Sequence, residues 1–337
     1  MMTEKRSTKF GAALIIFAVL VRLLSSFTAP AVRAIRQPET TQSKGSISRE
    51  TMGALRPEPT TQPSTPAPTT TEPPESQPAP VPTPWHFSAG DLSYVRVQYA
   101  TDCPYRPDLE MLLLQKLSWN LSGDAPTVLI LHTHASESYT RQPGQDYKES
   151  ADYRTLNESY NMVAVGDYLT ELLEAAGIGV IHDRQIHDYP SYTASYSNSR
   201  DSVREYLSQY PSIQVVLDLH RDAAENPDGS QYATSCLVNG KKVAQLMLVV
   251  GTNASGNYHP AWKENLATAV KLQALLEQIA PGITRQTILR AQRFNHDLSE
   301  GAMIVEVGTA GNTLEEAMGA IPFLAQALTA LMFGAEN

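Results

Sequence analysis

From about residue 109 onward, short apolar runs alternate with longer stretches of helical period, and several of the runs stop abruptly in polar side chains. The runs are "TVLILHTH", "GVIHD", "IQVVLDLHRD", "AQLMLVVGTN", "QTILR" and "AMIVEVG". Among them lie "PDLEMLLLQKL", "NMVAVGDYLTELLEAAGI", a helical pattern around Ser199 to Tyr210, "KENLATAVKLQALLEQI" and a closing "IPFLAQALTALMF". Runs this short and this apolar read as strands covered on both sides. Their alternation with helices predicts an α/β fold, a mostly parallel twisted sheet with helices on both faces. Gly177 supplies the stop of the second helical stretch. In sheets of this kind, chemistry collects at the carboxyl ends of the strands.

The first third of the chain has a different texture. Lys5, Arg6 and Lys9 precede an apolar run, Phe10 to Val21, which Arg22 interrupts and Leu23, Leu24 and Phe27 extend. A positively flanked apolar segment of this kind reads as a transmembrane anchor over residues 10–28, behind a short cytoplasmic N-terminus over residues 1–9. A cleaved signal peptide is the alternative, since the small residues Ala29 and Ala31 follow. Residues 29–84 are rich in Pro, Thr, Ser, Gln and Glu, too poor in apolar surface to offset chain entropy, and read as a disordered tether. The folded, extracytoplasmic catalytic domain is then expected over residues 85–337. The formal net charge of -9 argues against nucleic acid as a partner. The only two cysteines, Cys103 and Cys236, lack metal or redox spacing, and whether they pair is open.

Three of the predicted strands end in residues that bind metals or move protons. His132, His134 and Glu137 follow the first, His220 ends "VVLDLH", and Glu306 closes "AMIVE". Two imidazoles and one carboxylate make a three-ligand zinc site that leaves a position open for chemistry. His134 and Glu137, with His-x-x-Glu spacing, are the expected first two ligands and His220 the third. Glu306 remains as the general base. His132 is expected beside the site rather than on the metal, because a fourth ligand would close it. Arg221 and Asp222 flank His220 and could orient it or grip substrate, with a plain salt bridge as the alternative. Arg290, in a loop after a later strand, is a further substrate candidate.

The segments "LHTHASESY", "VAVGDYLTELLEAAGIGVIHD", "YPSIQVVLDLHRDA", "VVGTN", "HPAWKENLATAVKLQ" and "AMIVEVGTAGNTLEEA", in that order, resemble the stage II sporulation protein P family. The resemblance runs from about residue 100 to 325 and implies a membrane-anchored peptidoglycan hydrolase of endospore-forming bacteria. It implies amidase and endopeptidase activities during engulfment, and a catalytic domain similar to zinc-dependent N-acetylmuramoyl-L-alanine amidases. It further implies that stage II sporulation proteins D and M are partners, and that the enzyme sits in the mother-cell membrane facing the septal wall. The family's essential histidines fall on His134 and His220 and its glutamate on Glu137; the role of Glu306 rests on similarity to the wider zinc hydrolase class. Two rival readings of the same residues stay open. One is a zinc carboxypeptidase using Arg221 or Arg290 to hold a terminal carboxylate, and the other is an inert cell-wall-binding scaffold.

Overall fold

The computed structural model describes residues 86–119 and 125–334; the expected N-terminus, membrane segment and tether, residues 1–84, lie outside them. In chain order the elements are β1 (Val97–Tyr99), α1 (Leu109–Leu114), β2 (Val128–Leu131), β3 (Glu149–Ala151), β4 (Arg154–Thr155), α2 (Met162–Ala175), β5 (Val180–His182) and α3 (Ser195–Gln209). They continue as β6 (Val215–Asp222), β7 (Ser235–Val238), β8 (Lys241–Ala244), β9 (Leu246–Gly251), α4 (Trp262–Ile279), β10 (Thr287–Arg290), β11 (Gly301–Thr309) and α5 (Leu314–Gly334). Seven strands form one sheet in the order β1-β10-β9-β11-β6-β2-β5; β3–β4 and β7–β8 are separate two-stranded hairpins.

Five of the pairings in the large sheet are parallel, and one, between β9 and β11, is antiparallel. The sheet is therefore mixed and mostly parallel. The reversal has a consequence for Arg290. As β9 runs from Leu246 to Gly251, its partner β11 runs back from Val307 toward Gly301, and Arg290 pairs with Gly251. Arg290 thus sits at the end of the sheet opposite Glu306 and His220, away from the position expected of a substrate contact, because strand direction is a property that local sequence does not encode.

Strand periodicity assigns the two faces. Val128 and Ile130 of β2, Val215, Leu217 and Leu219 of β6, and Met303, Val305 and Val307 of β11 enter one large core with α1, α2, α4 and α5. Leu129, Leu131 and Val216 turn the other way and pack with Val203, Tyr206 and Leu207 of α3. Helices therefore cover both faces. Trp262 at the start of α4 stacks on Tyr105, with ring centroids 4.8 Å apart.

Helix ends follow local chemistry. The side chain of Asn161 caps α2 by accepting from the Val163 amide, 3.0 Å away. At the other end Gly177 has φ 84, and its amide and that of Ile178 return to the carbonyls of Glu174 and Leu173. The last helix begins at Leu314, earlier than its apolar run suggests, and carries Pro322 within it. Among the described residues, α5 alone is long and apolar enough to cross a membrane, with mean hydropathy 1.5, and half of that stretch is buried in this fold. Ala320, Ile321, Leu324 and Leu328 face the core, so here it serves as a packing helix. Cys103 and Cys236 are both free thiols.

Candidate metal centre

β2 delivers the first half of the site. Beyond its apolar residues the chain makes a tight turn closed by the Glu137 amide donating to the His134 carbonyl, 3.1 Å away. The turn brings side chains three residues apart together, so Glu137 Oε1 lies 3.6 Å from His134 Nδ1. β6 delivers the second half, with His220 Nδ1 3.5 Å from Glu137 Oε2. Among the described residues, His134, Glu137 and His220 are the one such trio: each offers a ligand atom, and these lie within 4.8 Å of one another. Both imidazoles turn Nδ1 toward the carboxylate.

The outward nitrogens have neighbours as well. His220 Nε2 is 2.9 Å from Asp218 Oδ1, close enough for a strong electrostatic contact but off the axis of a hydrogen bond, and the nitrogen is otherwise enclosed. Asp218 is fixed by Thr133, whose amide donates to Oδ1 at 2.7 Å and whose hydroxyl donates to Oδ2 at 2.6 Å. His134 Nε2 lies 3.1 Å from Ser195 Oγ. Partners on the far side of a ligating imidazole fix its tautomer and orientation. Asp218 carries a sequence signal of its own, since Asp-x-His on a strand places both side chains on one face. Ser195, far along the chain, had none.

Glu306 is the register partner of His220 across the parallel β11–β6 pair. The pleat sends both side chains to the α3 face of the sheet. One oxygen of Glu306 is enclosed and has no hydrogen-bond partner among the described residues. Burial pushes its pKa up to about 8, with His220 pulling the other way. Glu137 shows the opposite balance. Burial would raise it, but Arg221, His220 and His134 outweigh burial and hold it well below the usual carboxylate range.

The two histidines also differ. Burial lowers His134 to about 4 against the pull of Glu137. Burial opposes charge on His220 too, but Asp218 and Glu137 prevail and hold its pKa well above the ordinary value. A proton on His220 offsets part of the negative charge of the two carboxylates that flank it.

His132, Arg221 and Asp222 fall around the trio rather than in it. His132 is fully buried, with Nδ1 3.1 Å from the Leu219 carbonyl and Nε2 2.9 Å from His182 Nε2, so neither nitrogen faces the trio. Gly166 of α2 makes room for this pair, since a Cβ there would meet the two imidazoles at 2.4 and 2.6 Å. Arg221 is a brace: its amide donates to Glu137 Oε2, and its guanidinium donates to the Ser138 and Tyr153 carbonyls. Asp222 accepts from Arg285 at 2.6 Å, the plain salt bridge. Arg154, unremarked in the sequence, bridges Glu137 at 3.2 Å and Asp188 at 2.7 Å.

A donor set of two neutral-capable imidazoles and one carboxylate, converging with their outer atoms braced, fits a divalent metal such as zinc, and Glu306 adds a carboxylate with an enclosed oxygen that has no hydrogen-bond partner among the described residues. Among solved structures the chain is similar to three N-acetylmuramoyl-L-alanine amidases. That of Nostoc punctiforme is 12% identical, covering 63% of this chain and 98% of that one, with a TM-score of 0.36. That of Clostridium difficile 630 is 14% identical over 62% and 96%, TM-score 0.37. That of Mycobacterium abscessus is 12% identical over 63% and 100%, TM-score 0.38. Among curated proteins, stage II sporulation protein P of Bacillus subtilis (strain 168) is 28% identical over 227 residues, which cover 64% of this chain and 53%, about half, of that protein. The family description "Stage II sporulation protein P" matches residues 32–329, a span that takes in the whole sheet and every residue of the cluster. The chain belongs to the stage II sporulation protein P family.

Proposed function

We propose that the chain is a zinc-dependent peptidoglycan hydrolase that cleaves the amide between the N-acetylmuramic acid lactyl group and L-alanine, with stem-peptide cross-links as a second target. The observation that carries this reading is the juxtaposition of the His134, Glu137 and His220 trio with Glu306 in strand register beside it, one of its oxygens enclosed and without a hydrogen-bond partner among the described residues. His134, Glu137 and His220 would hold the ion. Zinc, when bound, supplies Lewis acidity that polarises a carbonyl and lowers the pKa of water.

The chain's own residues then account for proton movement and orientation. Glu306, in register beside His220 and in its ionised form, accepts a proton from the attacking water and passes it to the leaving nitrogen. Arg154 and Arg221 keep Glu137 ionised and aimed. Asp218 and Ser195 keep the two imidazoles from turning.

Family membership supports the wider setting of the proposal. Residues 10–28 anchor the chain as a single pass, residues 85–337 form the catalytic domain outside the membrane facing the septal wall, and stage II sporulation proteins D and M are its partners in engulfment. The test is digestion of purified peptidoglycan by the zinc-loaded full chain, with product analysis. Free stem peptides and bare glycan strands are expected. Release of single C-terminal residues alone would replace the reading by a carboxypeptidase, and zinc binding without any product would replace it by a wall-binding scaffold.

A further inference from the structure

The two imidazoles of the trio are restrained in different ways. His220 lies within β6, in register with Glu306 of the parallel strand β11, and the carboxylate beside its Nε2 comes from the same strand. His134 lies past the end of β2, where no ladder holds it. Apart from those within the trio, the ring's hydrogen-bond and aromatic contacts among the described residues come from one short segment, in which a 3-10 turn, Tyr192–Ala194, runs directly into α3.

Three side chains of that segment enclose the ring. Ser195, itself buried, places Oγ 3.1 Å from Nε2. Tyr192 stacks on the ring face with centroids 4.6 Å apart and planes 18° from parallel. Tyr196 meets the ring edge-on at 5.7 Å and 82°. The Arg154 guanidinium carbon is 4.8 Å from the Tyr192 ring centroid, so the stacking residue is itself tied to the cation that bonds Glu137.

We propose that Ser195 and Tyr192 are positioning residues that set the metal affinity of the centre by fixing the rotation and tautomer of His134; this rests on the metal-centre reading above. A neutral imidazole carries one N–H and one lone pair, and the group that takes the N–H decides which nitrogen presents the lone pair. In the tautomer that the centre requires, Ser195 Oγ, 3.1 Å away, accepts from Nε2–H and leaves Nδ1, the nitrogen facing Glu137, with the lone pair for the metal. Without that hydroxyl the ring can turn over and exchange its nitrogens. Tyr192 closes the second freedom, since a ring pressed against its face cannot tilt. At 54% exposure, Tyr192 is also the wall between the ligand and solvent.

The segment transmits its position because it is braced from behind. Asp188 bonds Arg154 and Ser136, His187 bonds Asp183 at 2.9 Å, and Asn295 Nδ2 donates to the Tyr196 carbonyl at 3.0 Å. His134 therefore takes its orientation from a segment roughly sixty residues away in sequence.

The test is competitive zinc titration of the full chain against a chromophoric chelator, for the unsubstituted protein and for Ser195→Ala, Ser195→Thr, Tyr192→Ala and Tyr192→Phe. Ser195→Ala is expected to weaken zinc about 10- to 100-fold, the usual scale for losing such a partner. Ser195→Thr, which restores the hydroxyl, should recover most of it. Tyr192→Phe should match the unsubstituted protein and Tyr192→Ala should not. Thermal unfolding of the metal-free variants, at an unchanged midpoint, separates this from a loss of fold. Unchanged zinc affinity in both alanine variants overturns the proposal, as does a loss in Ser195→Ala that tracks a lowered midpoint and that threonine does not restore. If the unsubstituted protein binds no zinc, the clamp and the centre fall together. If it binds zinc and cleaves nothing, the hydrolase reading falls while the affinities still decide the clamp.

Discussion

The two faces of β6 and β11 can be set against each other. On one face Val215, Leu217, Leu219, Met303, Val305 and Val307 close against helices with essentially no exposure. On the other, one residue further along each strand, Asp218 and His220 stand beside Ile304 and Glu306. The backbone is shared, so a single step of the pleat separates side chains that hold the sheet together from side chains of the candidate metal centre. The apolar face draws its free energy from burial and packing. The polar face carries buried charge, which costs stability unless partners offset it. The difference teaches that each face should fail in its own way.

The sharpest test of that separation is His220→Ala. It should abolish stoichiometric zinc binding and hydrolysis while leaving a folded domain, as seen by metal analysis and circular dichroism, and His134→Ala should do the same. His132→Ala, whose ring nitrogens point elsewhere, should keep most of the zinc. A protein in which His132 is indispensable and His134 dispensable would exchange their roles.

Next in size is the pair of glutamates. Glu306→Gln keeps the shape and removes the proton acceptor, so zinc and wall binding should persist while turnover falls about 10²- to 10⁴-fold. Glu137→Gln replaces an anionic ligand and should weaken the metal itself. Zinc content and stem-peptide release measured on both variants would expose an inverted assignment.

The apolar face is probed by Leu217→Ala. The residue has no exposure, so its truncation should cost about 2–5 kcal/mol in urea unfolding and leave zinc affinity of the folded protein unchanged. A large change in affinity would show that the two faces are coupled.

The smallest expected effect is the pH dependence of the metal-free protein. The Glu306 pKa is raised from an ordinary 4.5 to about 8. A raised pKa means that the folded form holds a proton the unfolded form has released. The associated stability is fully present below about pH 4.5 and is lost as pH rises through about 8. Because the side chain keeps partial contact with solvent, the loss should be on the order of 1–3 kcal/mol. Urea unfolding at pH 5 and pH 8 should show that loss in the unsubstituted protein relative to Glu306→Gln; equal slopes would place Glu306 in a more polar setting.

Much of this was legible in the chain. The strands that carry the site, "TVLIL", "VVLDL" and "AMIVE", announce themselves by their apolar runs, and His134, Glu137, His220 and Glu306 by ending them. The structure brings the first three together and sets Glu306 beside them. What local pattern could not supply was strand direction: β9 is as apolar as its parallel neighbours would be, and only tertiary pairing reverses it against β11. Arg290 was misplaced for that reason. The β7–β8 hairpin was missed because "SCLVNGKKVA" merges in sequence with the run that follows, although its Asn239 and Gly240, both at positive φ, are a hairpin signal. Arg154 and Ser195 gave no local sign, since their meaning lies entirely in what distant chain segments bring to them.

The reversal of β9 also divides the sheet into two ends. Loops leaving β2 and β6 gather at the chemical end, while the loop leaving β9, with Gly256 at φ 88 and Tyr258 at 78% exposure, emerges at the other. That loop is a handle. A dye, an affinity peptide or an attachment to a bead placed there would sit at the end of the sheet away from His134, Glu137 and His220, letting the protein be immobilised with that trio facing outward.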